Sequence, residues 1–248
     1  MVGCKLKNLT MKKIFLFLCA VSLAACSDES TGDVSKVTNY PNFELLGDET
    51  MYIHKGDAFT DPGVVVTEGE NEIDYEVSVS GAFTGGTSVN TNVEDVYTVT
   101  YSAVNQDGFA GSITRRVVVA EVGDLITSIA GVYTSTVVRN GVAGAAYTDM
   151  EFVLITDNGD GTYNLSDGIG GYYAIGRAYG NGYLAPAEIT ANNIATDNFT
   201  IPDFTVGTFG GNVEMLSFVA NEGNNTINFT SSWDSGYTFE VVLKQVQF

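Results

Sequence analysis

Short runs of strictly alternating apolar and polar residues, broken by turn residues, limit the fold of this chain more than any other feature. In Tyr97-Thr-Val-Thr-Tyr-Ser-Ala103, the residues Tyr97, Val99, Tyr101 and Ala103 fall on one face. Strand side chains alternate between two faces, so this run reads as a half-buried strand and not as a helix of period 3.6. The C-terminal part repeats the pattern as a meander. Leu216, Phe218 and Ala220 share one parity, Asn221-Glu-Gly-Asn-Asn225 turns the chain, and Ile227 and Phe229 share the next face. Asp234-Ser-Gly236 turns it again, and Tyr237, Phe239, Val241 and Leu243 share the last face. With abundant Gly, Thr, Val and Tyr and no long helix-forming run, the chain is predicted to be all-β.

Two segments of this kind are expected. Over 40–121, turns at Lys55-Gly56-Asp57, Asp61-Pro62-Gly63 and Asn105-Gln-Asp-Gly108 separate short strands such as Val64-Val65-Val66 and Ser112 to Val119. Turns every ~8–12 residues between such strands predict a β-sandwich. Val122-Gly123-Asp124 reads as a linker, and 125–248 as a second antiparallel β domain, either a small barrel or a sandwich so that its edges are protected. Asp157-Asn-Gly-Asp-Gly-Thr162 has the look of a calcium loop, but Gly159, Gly161 and Gly168 stand at its third, fifth and twelfth positions, where ligands are required. A hairpin turn leading into Tyr163-Asn-Leu165 is the expected structure.

The N-terminal residues carry an address. Met11-Lys-Lys-Ile-Phe-Leu-Phe-Leu-Cys-Ala-Val-Ser-Leu-Ala-Ala-Cys26 joins two lysines, an apolar run and a small-residue site. The apolar run is roughly half the ~20 residues that a spanning helix needs, so a secretory signal over 1–25 is expected. The cysteines are Cys4, Cys19 and Cys26, and only Cys26 would survive cleavage. Leu23-Ala-Ala-Cys26 resembles the bacterial lipobox, which implies that Cys26 becomes the lipidated first residue. Residues 26–39 are then a polar tether. Ser27-Asp-Glu-Ser30 resembles the acidic export tag of surface-exposed Bacteroidetes lipoproteins, which implies an outer-membrane anchor facing the extracellular side.

A second resemblance rests on Gly56-Asp57-Ala-Phe-Thr-Asp61-Pro62-Gly63, Tyr97-Thr-Val-Thr-Tyr101-Ser-Ala, Gly111 and Arg116-Val-Val-Val119. Together they resemble a bacterial Ig-like module found in tandem on surface proteins and in an insecticidal crystal toxin. Where that family has Asp-x-x-Gly-Asn, this chain has Asn105-Gln-Asp-Gly-Phe-Ala-Gly111. The resemblance implies a spacer or protein-interaction domain and no chemistry.

Charge and residue inventory limit function. The formal net charge is −19, and a leader bearing Lys5, Lys7, Lys12 and Lys13 leaves a more acidic remainder. Such a surface repels nucleic acid. The one histidine, His54, sits at a strand end, and Cys26 would be the one cysteine left. Zinc sites of the His/Cys type are therefore excluded, and a Ser-His-Asp triad would have to use His54. No cofactor or metal is expected. Paired carboxylates remain as the chemistry open to an enzyme, and with 30 acids in the chain a pair is always available on paper.

The expected ligand region is Gly168-Ile-Gly-Gly-Tyr-Tyr-Ala-Ile-Gly-Arg-Ala-Tyr-Gly-Asn-Gly-Tyr183, where Tyr172, Tyr173, Tyr179 and Tyr183 surround Arg177. Glycine lets rings stand clear of the backbone, and in an extended chain Tyr172 and Tyr173 would point to opposite sides. Trp233 is a possible sugar platform that shares the inward parity of Ile227 and Phe229. Phe248 suits an outer-membrane strand, but Lys244 and Glu240 share its parity, against a lipid-facing role. The organisation resembles two-domain surface lipoproteins found beside outer-membrane glycan-uptake systems. That implies a non-catalytic binder of polysaccharide or of an uptake complex, with an adhesive protein that binds another protein as the alternative.

Overall fold

In the computed structural model, which describes residues 38–248, the alternating runs are strands, and helical structure is confined to single turns. The 1–25 leader, Cys26 and the 26–39 tether up to residue 37 lie outside the described residues.

The first domain holds β1 (Pro41–Leu45), β2 (Thr50–His54), β3 (Val64–Glu68), β4 (Asn71–Glu72), β5 (Glu76–Gly81), β6 (Asp95–Val104) and β7 (Ala110–Ala120). They form two sheets, β1-β3-β4 and β2-β7-β6-β5, antiparallel except where β2 runs parallel to β7. Val64 and Val66 of one sheet bury against Tyr97, Val99, Tyr101, Ala103, Val117 and Val119 of the other, the face that the alternation predicts. Arg115 shares that inward parity and is fully buried. A lone charge there would be costly, and it is matched throughout. Its guanidinium pairs with Asp61 and donates to the carbonyls of Leu46, Asp48 and Gly63. Tyr101 Oη donates to Asp61 at 2.6 Å. Burial alone would raise the Asp61 pKa, but the bonds from Tyr101 and the Gly63 amide, with Arg115, hold it below the usual carboxylate range. The Asp61-Pro62-Gly63 turn is thereby tied to both sheets, which accounts physically for that part of the Ig-like pattern.

The second domain holds β8 (Gly131–Arg139), β9 (Met150–Asp157), β10 (Thr162–Leu165), β11 (Ala187–Asn193), β12 (Asn198–Thr200), β13 (Phe204–Val206), β14 (Gly210–Asn221), β15 (Thr226–Trp233) and β16 (Tyr237–Gln245). All nine lie in one antiparallel sheet, ordered β12-β11-β10-β9-β8-β16-β15-β14-β13. Pairing of β8 with β16 closes the chain order into a ring, interrupted between β12 and β13. The sheet curls until these ends approach. Phe199 of β12 packs edge-on against Phe218 of β14 at 4.9 Å, and Ala220 N donates to Asp197 at 2.8 Å. Of barrel and sandwich, the arrangement is a barrel with an unsealed seam. The 157–162 segment is a hairpin turn, with Asp157 and Asp160 accepting from the amides of Gly159 and Thr162. The expected shared parity of Leu216, Phe218 and Ala220 fails at its first member. The register shifts between Met215 and Ser217, and this bulge leaves Leu216 exposed while Phe218 stays in the core.

The two domains share a third apolar cluster. Val96, Val118 and Ala120, on the outer face of the Ig-like sheet, pack against Val132, Phe152 and Leu154 of β8 and β9. Phe248 stacks on Tyr52 at 5.1 Å and on His54 at 4.8 Å. The Val122-Gly123-Asp124 segment is a fastened turn and not a free linker. Gln245 donates to the Gly123 carbonyl at 2.9 Å, and the Asp124 carboxylate accepts from the amides of Ile126, Thr127 and Ser128.

Candidate functional site

One end of the barrel gathers the end of β8, the starts of β9 and β14, the end of β15 and the start of β16. The 166–186 connection from β10 to β11 crosses this end, and it does so by dropping into the barrel. Asp167 Oδ1 accepts from Ile169 N at 2.9 Å, and Ser135 Oγ donates to the Gly170 carbonyl at 2.8 Å. Gly170 has φ +69°, and a Cβ there would lie 2.7 Å from side-chain carbons of Val137 and Val241. At Gly168 a Cβ would meet the Phe204 ring. These glycines therefore serve the passage of backbone through a packed interior, and not the projection of rings into solvent.

The chain then turns back as a π-helical turn, Tyr172–Gly176. This differs from the extended conformation expected at Tyr172 and Tyr173. In the turn both rings point inward and both are buried. Trp233 is buried as well, as its parity predicts, with Nε1 donating to the Gly210 carbonyl at 3.1 Å. These three residues are thus a bed and not an open platform. The structure nonetheless brings all six expected residues into one aromatic network. Tyr173 lies 5.1 Å from Tyr172, 6.0 Å from Trp233 and 6.2 Å from Tyr179, while Tyr179 lies 5.2 Å from Tyr183. Arg177 is exposed and sits over the Tyr172 ring at 5.7 Å.

Four further residues complete the arrangement. Tyr147 stacks on Tyr172 at 4.1 Å. Phe209 packs against Tyr173 at 5.1 Å and Tyr183 at 4.8 Å. Arg139 places its guanidinium over Tyr172 at 4.7 Å and over Tyr237 at 4.6 Å, and donates to Tyr173 Oη at 3.2 Å. Phe209 could have been found by the rule that singled out the 168–183 region, since Gly207, Gly210 and Gly211 flank it. Nothing local marks Arg139, Tyr147 or Tyr237, which reach the site through strand pairing. The outermost rings are Tyr179 and Phe209, each 48% exposed. A concavity of about 300 Å³ opens among Arg139, Asn140, Val142, Tyr147, Tyr172 and Tyr237.

The charges that act on Tyr172 are positive. Burial would push the Tyr172 phenol up, yet hydrogen bonds with Tyr147 and Arg177 and the charges of both arginines carry it below its ordinary value. The Arg177 guanidinium is held further into its charged form, first by its bond to Tyr172 and then by Tyr179.

A larger cleft of about 820 Å³ lies between the domains, with Phe83, Asn92 and Glu94 on one side and Leu154, Asn181 and Glu188 on the other. Lys55 Nζ reaches Glu94 at 2.9 Å and Glu121 at 3.2 Å. Burial raises the Glu94 pKa, and the bond to Lys55 offsets this only in part. The turns Asn181–Tyr183 and Gly207–Phe209 each give one residue to this cleft and one ring to the aromatic patch. Among the described residues, no group of three His, Cys, Asp or Glu side chains converges on a metal position.

Residues 43–119 match a family described as a bacterial surface protein, Ig-like domain, and residues 122–245 match a family described as a C-terminal domain. No curated protein matches the chain in sequence. The crystal structure of the lipoprotein BT2262 from Bacteroides thetaiotaomicron is similar with a TM-score of 0.58 and 26% identity, over 83% of this chain and 100% of that one.

Proposed function

From the premise that this chain belongs to the family of the C-terminal domain matched at 122–245, with a bacterial surface Ig-like domain before it, we propose that it is a lipid-anchored surface protein that captures carbohydrate without cleaving it. Similarity to a Bacteroides lipoprotein supports the anchor, for which Cys26 is the acceptor, and the surface-protein Ig-like match supports display; the outer-membrane position facing outward rests on the Ser27-Asp-Glu-Ser30 resemblance. The observation that carries the binding reading is the exposed edge of Tyr179 and Phe209 resting on buried Tyr173 and Trp233. A sugar ring presents an apolar face that stacks on such rings, and rings already fixed by their neighbours lose little entropy on binding. The concavity beside the patch has no carboxyl group in its lining, which fits capture better than acid–base hydrolysis.

The test uses residues 40–248 against a panel of polysaccharides, by affinity electrophoresis and calorimetry, with the same mixtures assayed for released sugar. Binding without release is expected, weakened about tenfold by Tyr179→Ala or Phe209→Ala, which is ~1.4 kcal/mol. Both side chains are half exposed, so the variants should keep the fold. Tyr172→Ala would remove a core ring and is not a clean probe. Sugar release would establish an enzyme. Failure to bind any polysaccharide would favour a protein partner, for which the exposed Tyr40–Phe109 pair of the Ig-like domain, 5.1 Å apart, is the place to look.

A further inference from the structure

Resting on the carbohydrate reading, we infer that the Arg139–Tyr172–Arg177 corner of the barrel end selects a saccharide carrying an isolated carboxylate, that is, a uronic acid residue. Lys55, Arg115 and Arg116 are each paired with a carboxylate. Among the described residues Arg139, Arg177 and Lys244 carry no ion pair, and of these the two arginines share one aromatic ring.

The geometry leaves room for a ligand. Two tyrosine rings cover the faces of the Arg139 guanidinium, and one of its N–H groups goes to Tyr173 Oη. A guanidinium has five donors in a planar fork, so its edge stays available to a planar bidentate acceptor. Arg139 and Tyr172 line the adjoining concavity, whose size of about 300 Å³ suits one sugar residue. The downward displacement of the Tyr172 phenol is consistent with a local field that favours negative charge at this point.

Magnitude and sign also narrow the ligand class. The strong overall negative charge opposes the approach of a polyanion, and that opposition acts over about a Debye length, ~8–10 Å. A single carboxylate on an otherwise neutral chain meets little of it and still gains the charge-assisted bonds at the two arginines. The site is therefore matched to sparsely charged glycans and not to densely charged ones.

Calorimetry with residues 40–248 tests this with a glucuronic-acid-bearing disaccharide, its neutral glucose counterpart and a sulfated disaccharide. The expected result is that the uronic acid disaccharide binds at least about tenfold tighter than the neutral one. The preference should shrink to near unity in Arg177→Gln, whose exposed side chain can be changed without loss of fold. It should fall in Arg139→Gln too, with near-ultraviolet circular dichroism confirming that the aromatic packing is intact. Equal affinity for the acidic and neutral disaccharides would overturn the inference and leave the carbohydrate reading standing. So would a preference that survives in Arg177→Gln and Arg139→Gln together, or binding of the sulfated disaccharide alone. No binding to any of the three, coupled with no binding across the polysaccharide panel, would remove both.

Discussion

Asp167 is a carboxyl group fully removed from water. One of its oxygens accepts from the Ile169 amide and the other has no hydrogen-bond partner. Burial pushes its pKa up to about 6, against the opposing pull of the Ile169, Gly171 and Ala185 amides. In the unfolded chain the same group titrates near 3.8. Its folded pKa is the higher one, so its contribution to stability is fully present below about pH 4 and is lost as pH rises through about 6. A displacement of that size corresponds to roughly 3 kcal/mol at neutral pH. Asp167→Asn keeps the acceptor for Ile169 and removes the ionisation. Urea unfolding between pH 4 and 7 should show wild-type stability falling with pH over that window and a flatter profile for the variant. An unchanged slope in Asp167→Asn would place the titration elsewhere. Nothing in the sequence marks Asp167, because its burial is produced by the loop that follows it and not by its own neighbours in the chain.

At the scale of elements, what was legible depended on how local the cause is. Alternation in β6, the 157–162 hairpin and the inward parity of Trp233 are set by neighbouring residues, and all are present in the fold. The bulge at Leu216 and the π-helical turn at Tyr172 are imposed by packing across the barrel, and no local pattern announces them. The aromatic cluster was legible as a set of residue types but not in its depth: Tyr172 and Tyr173 are core, and the exposed edge includes Phe209. The glycines before the turn make this testable. Gly170 combines a positive φ with a Cβ position 2.7 Å from Val137 and Val241. Gly170→Ala adds both backbone strain and overpacking, which together cost about 2–4 kcal/mol. Gly159, also at positive φ but with open space around it, isolates the first effect, and Gly159→Ala should cost about 1 kcal/mol. Thermal unfolding of the two variants, with near-ultraviolet dichroism reporting the rings seated by the loop, separates the contributions. Equal losses would mean that the loop is not held as tightly as its contacts indicate.

For the whole molecule, the seam between the domains decides how the parts behave together. A spacer module on a free linker would unfold by itself. Here the continuous apolar run Val117-Val-Val-Ala120 serves two cores at once, Val117 and Val119 facing the sandwich and Val118 and Ala120 facing the barrel. A run apolar on both parities marks a strand covered on both faces, so this part of the assembly was readable, although Gly123 and its neighbours read as a linker. Phe152 fills the seam from the barrel side, packs edge-on against Tyr52 at 6.1 Å and lies beneath the Arg116 guanidinium, which pairs with Glu151. Residues 40–248 should therefore unfold in one calorimetric transition whose van't Hoff and calorimetric enthalpies agree. Removal of the Phe152 ring costs about 3–5 kcal/mol by the cavity it leaves, and it should also split the transition in two, because the energy lost is the energy that couples the domains. A single but lowered transition in Phe152→Ala would mean that Val118, Leu154 and Phe248 suffice to hold the seam. Two transitions already in the wild type would mean that the domains are coupled too weakly for the cleft between them to keep one shape. That distinction bears directly on binding, since the turns Asn181–Tyr183 and Gly207–Phe209 carry cleft and aromatic patch together, and a rigid seam fixes both relative to the Ig-like domain.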